Sequence, residues 1–244
     1  MTSYCLIHGS GQGPEGWRLL VDELERRGHR VLTPALDLNR LDEGLLCHAG
    51  TLVTALERSG LEPRNVVCVA HSASGMYLPI VAERWRPRRM VFLAAAIPRP
   101  GLSIRDQLRA DPSIMNPAWM GKNPMDDDVA VEFVFHDCPP ERIAWALSTR
   151  IFFYAKRAME ETCPLSAWPA VPAAYVVCEE DRTNTPAWQR RAARELLGVE
   201  PYEVPGGHAP HVSRPGTVAD VLEQIEVDVN RSASLQRASA TAES

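Results

Sequence analysis

The stretch that decides the fold is Val66-Val67-Cys68-Val69-Ala70-His71-Ser72-Ala73-Ser74-Gly75-Met76. Val66 to Val69 is an unbroken apolar run, the pattern of a strand buried on both faces in a parallel sheet. The chain then passes into small residues around one serine. It continues as Tyr77-Leu78-Pro79-Ile80-Val81-Ala82-Glu83-Arg84-Trp85, which reads as a helix. Strand, sharp turn carrying Ser72, then helix is the layout that raises a serine nucleophile above a sheet. So tight a turn needs small residues two before and two after the serine. Ala70 and Ser74 stand there, in place of the two glycines of the usual pattern. A turn that merely contains serines fits these residues equally well, so the rest of the chain must decide.

Working outward, 244 residues are enough for one large α/β domain with a well-buried core. An apolar content of 45% and a charged content of 23% are those of a folded globular chain, not of a disordered or membrane-spanning one. The net charge of −5 disfavours nucleic acid as a partner, because phosphate binding draws on clustered Lys and Arg. Lysine occurs only as Lys122 and Lys156, while arginine and alanine are abundant, a bias common in GC-rich bacterial genomes. The N-terminus shows no basic region followed by a long apolar run, so no signal peptide is expected. Nor is any stretch long and apolar enough to span a bilayer. Cys5, Cys47, Cys68, Cys138, Cys163 and Cys178 show no close pairing and no metal-ligand spacing. Three of them fall in expected core strands, where cysteine behaves as a small hydrophobe. A cytoplasmic location without disulfides is the expectation.

In chain order, Tyr4–Ile7 reads as a strand running into His8-Gly9-Ser10-Gly11-Gln12-Gly13. A helix follows over about 17–27, with Gly28 as its stop. A second strand covers 29–34, and a helix covers about 41–59. After the Ser72 unit comes an apolar strand, 90–97. Strands alternating with helices imply right-handed crossovers and a parallel sheet covered on both faces. From 102 to 172 no core strand is expected. Short helical pieces and large apolar side chains fill this stretch, which is too long for a loop and reads as an inserted helical lid. The sheet resumes at 173–178. Thr185 then caps a helix that has Pro186 at its first position. A last strand near 201–204 leads to Gly206-Gly207-His208. The final helix runs from about 215 to 229, and the small, polar tail 231–244 reads as disordered. The domain organisation is thus 1–101 with 173–230 as core, and 102–172 as lid.

Ligands of open parallel sheets bind at the carboxyl ends of the strands. Those ends carry His8-Gly9-Ser10, Ser72, Glu179-Glu180-Asp181 and His208. A serine, an acid and a histidine in that order is the α/β-hydrolase arrangement. The chain resembles that superfamily over nearly its whole length, and more narrowly the small bacterial esterases related to plant methylesterases and hydroxynitrile lyases. The resemblance rests on Leu6-Ile7-His8-Gly9-Ser10 with Trp17 downstream, and on Ala70-His71-Ser72-Ala73-Ser74. It rests further on Phe135-His136-Asp137-Cys138-Pro139-Pro140-Glu141, Glu180-Asp181-Arg182 and Gly207-His208-Ala209-Pro210.

The resemblance implies an α/β-hydrolase fold: a mainly parallel, doubly wound sheet of about six strands with a helical lid. It implies an acyl-enzyme mechanism, no cofactor and a small-molecule substrate. Ser72 is the expected nucleophile, His208 the base and Asp181 the acid, with Glu179 and Glu180 as competitors for the last role. The backbone N–H groups of Ser10 and Ala73 would form the oxyanion hole. Gly9, Trp17, Phe135, Trp145, Phe152 and Phe153 are the expected substrate contacts. His71 and His8 read as structural. His211 pairs with His208 in sequence, but the intervening proline and the lack of a third ligand argue against a metal. Relatives that cleave cyanohydrins carry threonine at the position of Gly9 and a lysine near the base, and neither is present. With basic residues scattered along the lid, an uncharged, fairly apolar ester, thioester or lactone is the expected substrate. Thr149-Arg150-Ile151-Phe152-Phe153-Tyr154 is bulkier than relatives usually are there and implies a pocket reshaped by aromatics. A biosynthetic cyclase or lyase, an acyltransferase, a ligand receptor and a homodimer all stay open, since fold does not fix function.

Overall fold

A computed structural model describes the backbone of residues 1–242 and the side chains of residues 1–228. Six strands form one all-parallel sheet: β1 (Ser3–Ile7), β2 (Arg30–Leu32), β3 (Val66–His71), β4 (Arg89–Leu93), β5 (Ala173–Cys178) and β6 (Tyr202–Val204). Their spatial order is β2-β1-β3-β4-β5-β6. The expected strands are therefore all present, with β2 and β4 shorter than read, because pairing ends where the chain turns away to build the site. Cys5, Cys68 and Cys178 do lie in strands, and all six cysteines are free.

Helices cover both faces. On one side α1 (Arg18–Arg26) and α10 (Pro215–Ala242) bury Leu20, Leu24, Val218, Leu222 and Ile225 against Tyr4, Leu6, Val67, Val69, Val91 and Val176. On the other, α2 (Leu45–Arg58), α3 (Leu78–Trp85) and α8 (Pro186–Leu197) bury Leu52, Leu56, Ile80, Trp85 and Trp188 against Cys5, Ile7, Cys68, Phe92 and Val177. Alternate strand residues thus face opposite cores, which is why the strands read as continuous apolar runs. Thr185 caps α8 by accepting the Trp188 N–H. The expected final helix ends at about 229 and the expected disordered tail begins at 231; instead the backbone continues as α10 to Ala242, with the side chains from 229 on outside those described.

Between β4 and β5 the chain forms α4 (Ile104–Ala110), α5 (Asp127–Phe133), α6 (Pro140–Ser148) and α7 (Lys156–Glu160). Among the described residues no ladder strand falls in this insertion; its one bridge joins Met115 to Asn184. After β6 comes one turn of helix, α9 (Pro210–Ser213), that sequence periodicity is too short to reveal.

The strand order reverses between β1 and β3, which are paired directly, Ile7 opposite Ala70. That reversal is the topological switch point where the loops after two neighbouring strands diverge and leave a crevice. Here it brings Gly9 beside Ser72: a Cβ on Gly9 would lie 2.9 Å from the Ser72 Cβ.

One charged cluster ties α10 to the sheet. Glu226 pairs with Arg88 at 2.6 Å and with Arg89 at 3.0 Å, and Arg89 is 3% exposed. Glu226→Ala would leave the Arg89 guanidinium buried without its counter-charge. The expected loss is about 3 kcal/mol, read from the urea midpoint at constant m-value; a loss below about 0.5 kcal/mol, typical of surface changes, would refute the assignment.

Candidate active site

Ser72 sits at the tip of β3 with φ 56°, a left-handed conformation that L-residues avoid. A 3₁₀ turn, Ser72–Met76, leads from it into α3. The Ser72 carbonyl is held by the Ala96 N–H at 2.9 Å. Gly75 lets the turn dock on the chain beyond β4, since a Cβ there would lie 2.0 Å from the Ala96 carbonyl. Ser74 is buried rather than presented to solvent. Its hydroxyl lies 2.8 Å from the His71 carbonyl and 3.1 Å from that of Ile7, joining the end of β1 to the turn. The serine that replaces the usual glycine is thus a staple between two strand ends.

His208 lies across from this turn. Its Nδ1–H donates to Asp181 Oδ2 at 2.8 Å, leaving Nε2 to accept the Ser72 hydroxyl at 2.9 Å. Asp181 is 6% exposed, while Glu179 and Glu180 are exposed. Asp181 Oδ1 accepts the Thr183 N–H at 2.7 Å, the Thr183 hydroxyl at 3.0 Å and the Asn184 N–H at 3.1 Å. Asp181 Oδ2 also accepts Gln189 Nε2 at 2.8 Å. A carboxylate with this many donors is fixed in orientation. Sequence reading missed Gln189, whose only signal is its place one turn into the helix that Thr185 caps.

Three imidazoles pack together. His71 lies 4.7 Å from His208 and 4.8 Å from His211, centroid to centroid, and its Nε2–H donates to the His208 backbone carbonyl at 2.7 Å. His211 Nε2–H donates to Gln12 Oε1 at 3.0 Å, and Gln12 Nε2 donates to the Thr149 hydroxyl at 2.8 Å. Burial holds His71 well below the usual histidine range, helped by His208 and His211; burial and His208 push His211 down to about 3. Burial likewise lowers His8 and His48. His8 Nε2 accepts the Leu36 N–H at 3.0 Å, so its Nδ1–H donates to the Gly9 carbonyl at 2.8 Å and shapes the loop after β1.

Over Ser72 opens a cavity of about 520 Å³. Gly9, Ser10, Ala73 and His208 line its floor. Its walls are Leu36, Met76, Ile97, Ile104, Leu108, Met115, Trp119, Phe152, Phe153, Tyr154 and Trp188. Insertion and loops are stitched together: Phe153 N–H donates to Ser10 O at 2.8 Å, Gly13 N–H to Thr149 O at 3.2 Å, and Asn116 N–H to Thr183 O at 2.8 Å.

Of the expected substrate contacts, Gly9, Phe152 and Phe153 line the cavity; Trp17, Phe135 and Trp145 do not. Trp17 is 1% exposed and packs under His211, 4.2 Å between ring centroids. Phe135 is sealed in a small core with Ala146, Ala209 and Val212, against which Trp145 packs. All three are spent on fixing α6 and the loop that follows β6, since apolar bulk is drawn first to the nearest dry core.

The model of the alpha/beta hydrolase family matches residues 6–221. The chain belongs to that family. Within it, the chain is 24% identical to norfluorocurarine synthase 1 of Strychnos nux-vomica, over 91% of this chain and 94% of that protein. It is 25% identical to methyl jasmonate esterase 1 of Vitis vinifera, over 91% and 95%. A shorter match, 32% identical over 43% of this chain and 46% of the other, is to a carbendazim hydrolyzing esterase of Nocardioides. Among solved alpha/beta hydrolases, polyneuridine aldehyde esterase superposes with a TM-score of 0.75 at 22% identity, over 93% of this chain and 99% of that one. A pyrethroid hydrolase from Sphingobium faniae gives 0.73 at 20% identity, over 91% and 96%.

The buried histidines of this family member generate a pH prediction. His8, His48, His71 and His211 are held neutral in the fold but protonate near 6.5 once unfolded. Their contribution to stability is full above that value and is lost as pH falls toward the depressed folded values. The melting temperature should therefore fall steadily from pH 6.5 to about 4.5, before carboxylates titrate. A flat profile over that window would contradict the neutral assignment.

Proposed function

We propose that the protein is a serine hydrolase of uncharged, fairly apolar carboxylic esters, lactones or thioesters, acting through an acyl-enzyme. The observation that carries this is the relay from Ser72 Oγ through His208 to Asp181, at 2.9 and 2.8 Å, on the floor of an apolar cavity. As Ser72 Oγ attacks the substrate carbonyl, His208 Nε2 takes its proton. Asp181 holds the imidazole with Nδ1 protonated and stabilises the imidazolium. The carbonyl oxygen gathers negative charge and is met by the backbone N–H groups of Ser10 and Ala73. The tetrahedral intermediate collapses, and His208 returns the proton to the leaving oxygen or sulfur. Water, deprotonated by His208, then attacks the acyl-Ser72 carbonyl. A second collapse releases the acid and restores the Ser72 hydroxyl.

Ester hydrolysis is supported by relatives named for it, the methyl jasmonate and carbendazim esterases. The mainly apolar wall supports an uncharged substrate, because a charged group would lose its water there; Lys122, on the lining, is the one Lys, Arg, Asp or Glu side chain that could pair with one. The insertion serves as lid, carrying Trp119, Phe152 and Phe153 over the floor. A cytoplasmic location is supported by six unpaired cysteines. The likeness to norfluorocurarine synthase 1 favours a second reading, a biosynthetic reaction on the same catalytic groups.

A fluorophosphonate probe should label the wild type and leave folded Ser72→Ala unlabelled. Asp181→Asn should lower kcat on p-nitrophenyl esters by on the order of 10³-fold or more, because the imidazole loses its correct tautomer. Equal labelling of wild type and Ser72→Ala would sink the nucleophile assignment. Labelling without turnover across acyl lengths would favour the biosynthetic reading.

A further inference from the structure

We propose that His136 and Asp137, on the insertion, are positioning residues that hold the loop bearing His208 in register with the loop bearing Asp181. The proposal rests on the triad reading given under Proposed function. His136 Nε2–H donates to the Glu180 carbonyl at 3.1 Å, one residue before Asp181. On its other side the Glu180 N–H donates to the Gly206 carbonyl at 2.9 Å. The peptide groups flanking Glu180 therefore join the acid loop, the insertion and the base loop.

Asp137 presses on the base loop itself. A Cβ on Gly206 would lie 2.2 Å from Asp137 Oδ2, and one on Gly207 would lie 2.9 Å from Oδ1 and 2.6 Å from His136 Nε2. Glycine at both positions is what admits the pair, and Gly206 also has φ 100°. This explains the Gly-Gly that precedes the base. The Asp137 side chain is 6% exposed, with Arg214 Nε at 3.5 Å. Neither of its carboxylate oxygens has a hydrogen-bond partner among the described residues. A carboxylate this poorly solvated is unfavourable by itself, and such placements concentrate where function demands them. From here its charge draws in Arg214, which closes the base loop beyond His208. Arg142 binds the same loop through the Val212 and Ser213 carbonyls, at 3.1 Å each.

Neither His136 nor Asp137 lines the cavity. Their effect is on the two hydrogen bonds of His208, which must hold together in the transition state. Small misplacements there are expensive, about a hundredfold for 1 Å.

The test compares His136→Ala, His136→Gln, Asp137→Asn and Ser72→Ala on one p-nitrophenyl ester, with kcat and KM separated and with the rate constant for fluorophosphonate labelling. His136→Ala and Asp137→Asn should lower kcat and the labelling rate by about tenfold each, with KM changed less than about twofold. His136→Gln, whose amide can still donate to the Glu180 carbonyl, should regain most of the loss. The proposal is overturned if kcat and labelling match wild type in both variants, if the loss lies wholly in KM, or if His136→Gln is as impaired as His136→Ala. Should Asp137→Asn fail to fold by circular dichroism, the His136 pair decides. Full activity in Ser72→Ala would instead overturn the triad reading, and the proposal with it.

Discussion

Everything at this site depends on holding Ser72 in a backbone conformation that it would not choose. A left-handed residue other than glycine costs on the order of 1–3 kcal/mol and persists only where its surroundings over-determine it. Here the surroundings are named. The Ser72 carbonyl is captured by the Ala96 N–H, Ser74 staples the turn to β1, and Gly75 lets the turn seat on the chain beyond β4. Gly9 belongs to the same constraint, because β1 pairs directly with β3 and a side chain at position 9 would be driven into Ser72. The absence of threonine there, first a clue about chemistry, is equally a packing requirement of this elbow.

The second constraint is electrostatic. Imidazoles crowd around His208, and three protonatable rings in one buried cluster would repel one another if charged. The structure avoids this by giving only His208 a carboxylate. His71 donates to a backbone carbonyl and His211 to Gln12, both neutral acceptors, and burial keeps both rings uncharged. Within the cluster it is the His208 ring that faces a carboxylate, Asp181. The same logic accounts for His211, which in sequence resembles a metal pair with His208 but has its Nε2 committed to Gln12.

How far the site was legible follows from the range of the interactions involved. Ser72, Asp181 and His208 each terminate a strand or follow one closely, and strand periodicity is a local property that survives in one dimension. The sheet was readable for the same reason. The role of Ser74 was not, because its partners are the Ile7 and His71 carbonyls and one of them is far away in sequence. Gln12, Thr149 and His211 form a chain across three distant segments, and no spacing rule connects them. Trp17, Phe135 and Trp145, expected at the substrate, pack away from the cavity. Their destination was set by which core lay closest, and only the packed structure decides that.

The bulky segment Ile151-Phe152-Phe153-Tyr154-Ala155 shows how the insertion divides its work. Burial alternates along it: Phe153 and Ala155 are buried, while Phe152 and Tyr154 are exposed at 48% and 41%. Period-two alternation is what an extended chain gives, with successive side chains on opposite sides. Phe153 points inward, edge-on to His8 and His48, and its N–H holds the Ser10 carbonyl. Phe152 and Tyr154 stack on each other at 5.9 Å. All three line the cavity, so one short extended segment supplies both the inner wall and an aromatic rim. A change at Phe153 therefore acts on the loop that carries Ser10 as well as on the space offered to substrate. Phe152 and Tyr154, stacked on each other and exposed, take no part in the hydrogen bond from the Phe153 N–H to the Ser10 carbonyl, so the rim and the Ser10 loop are held by different side chains and contacts.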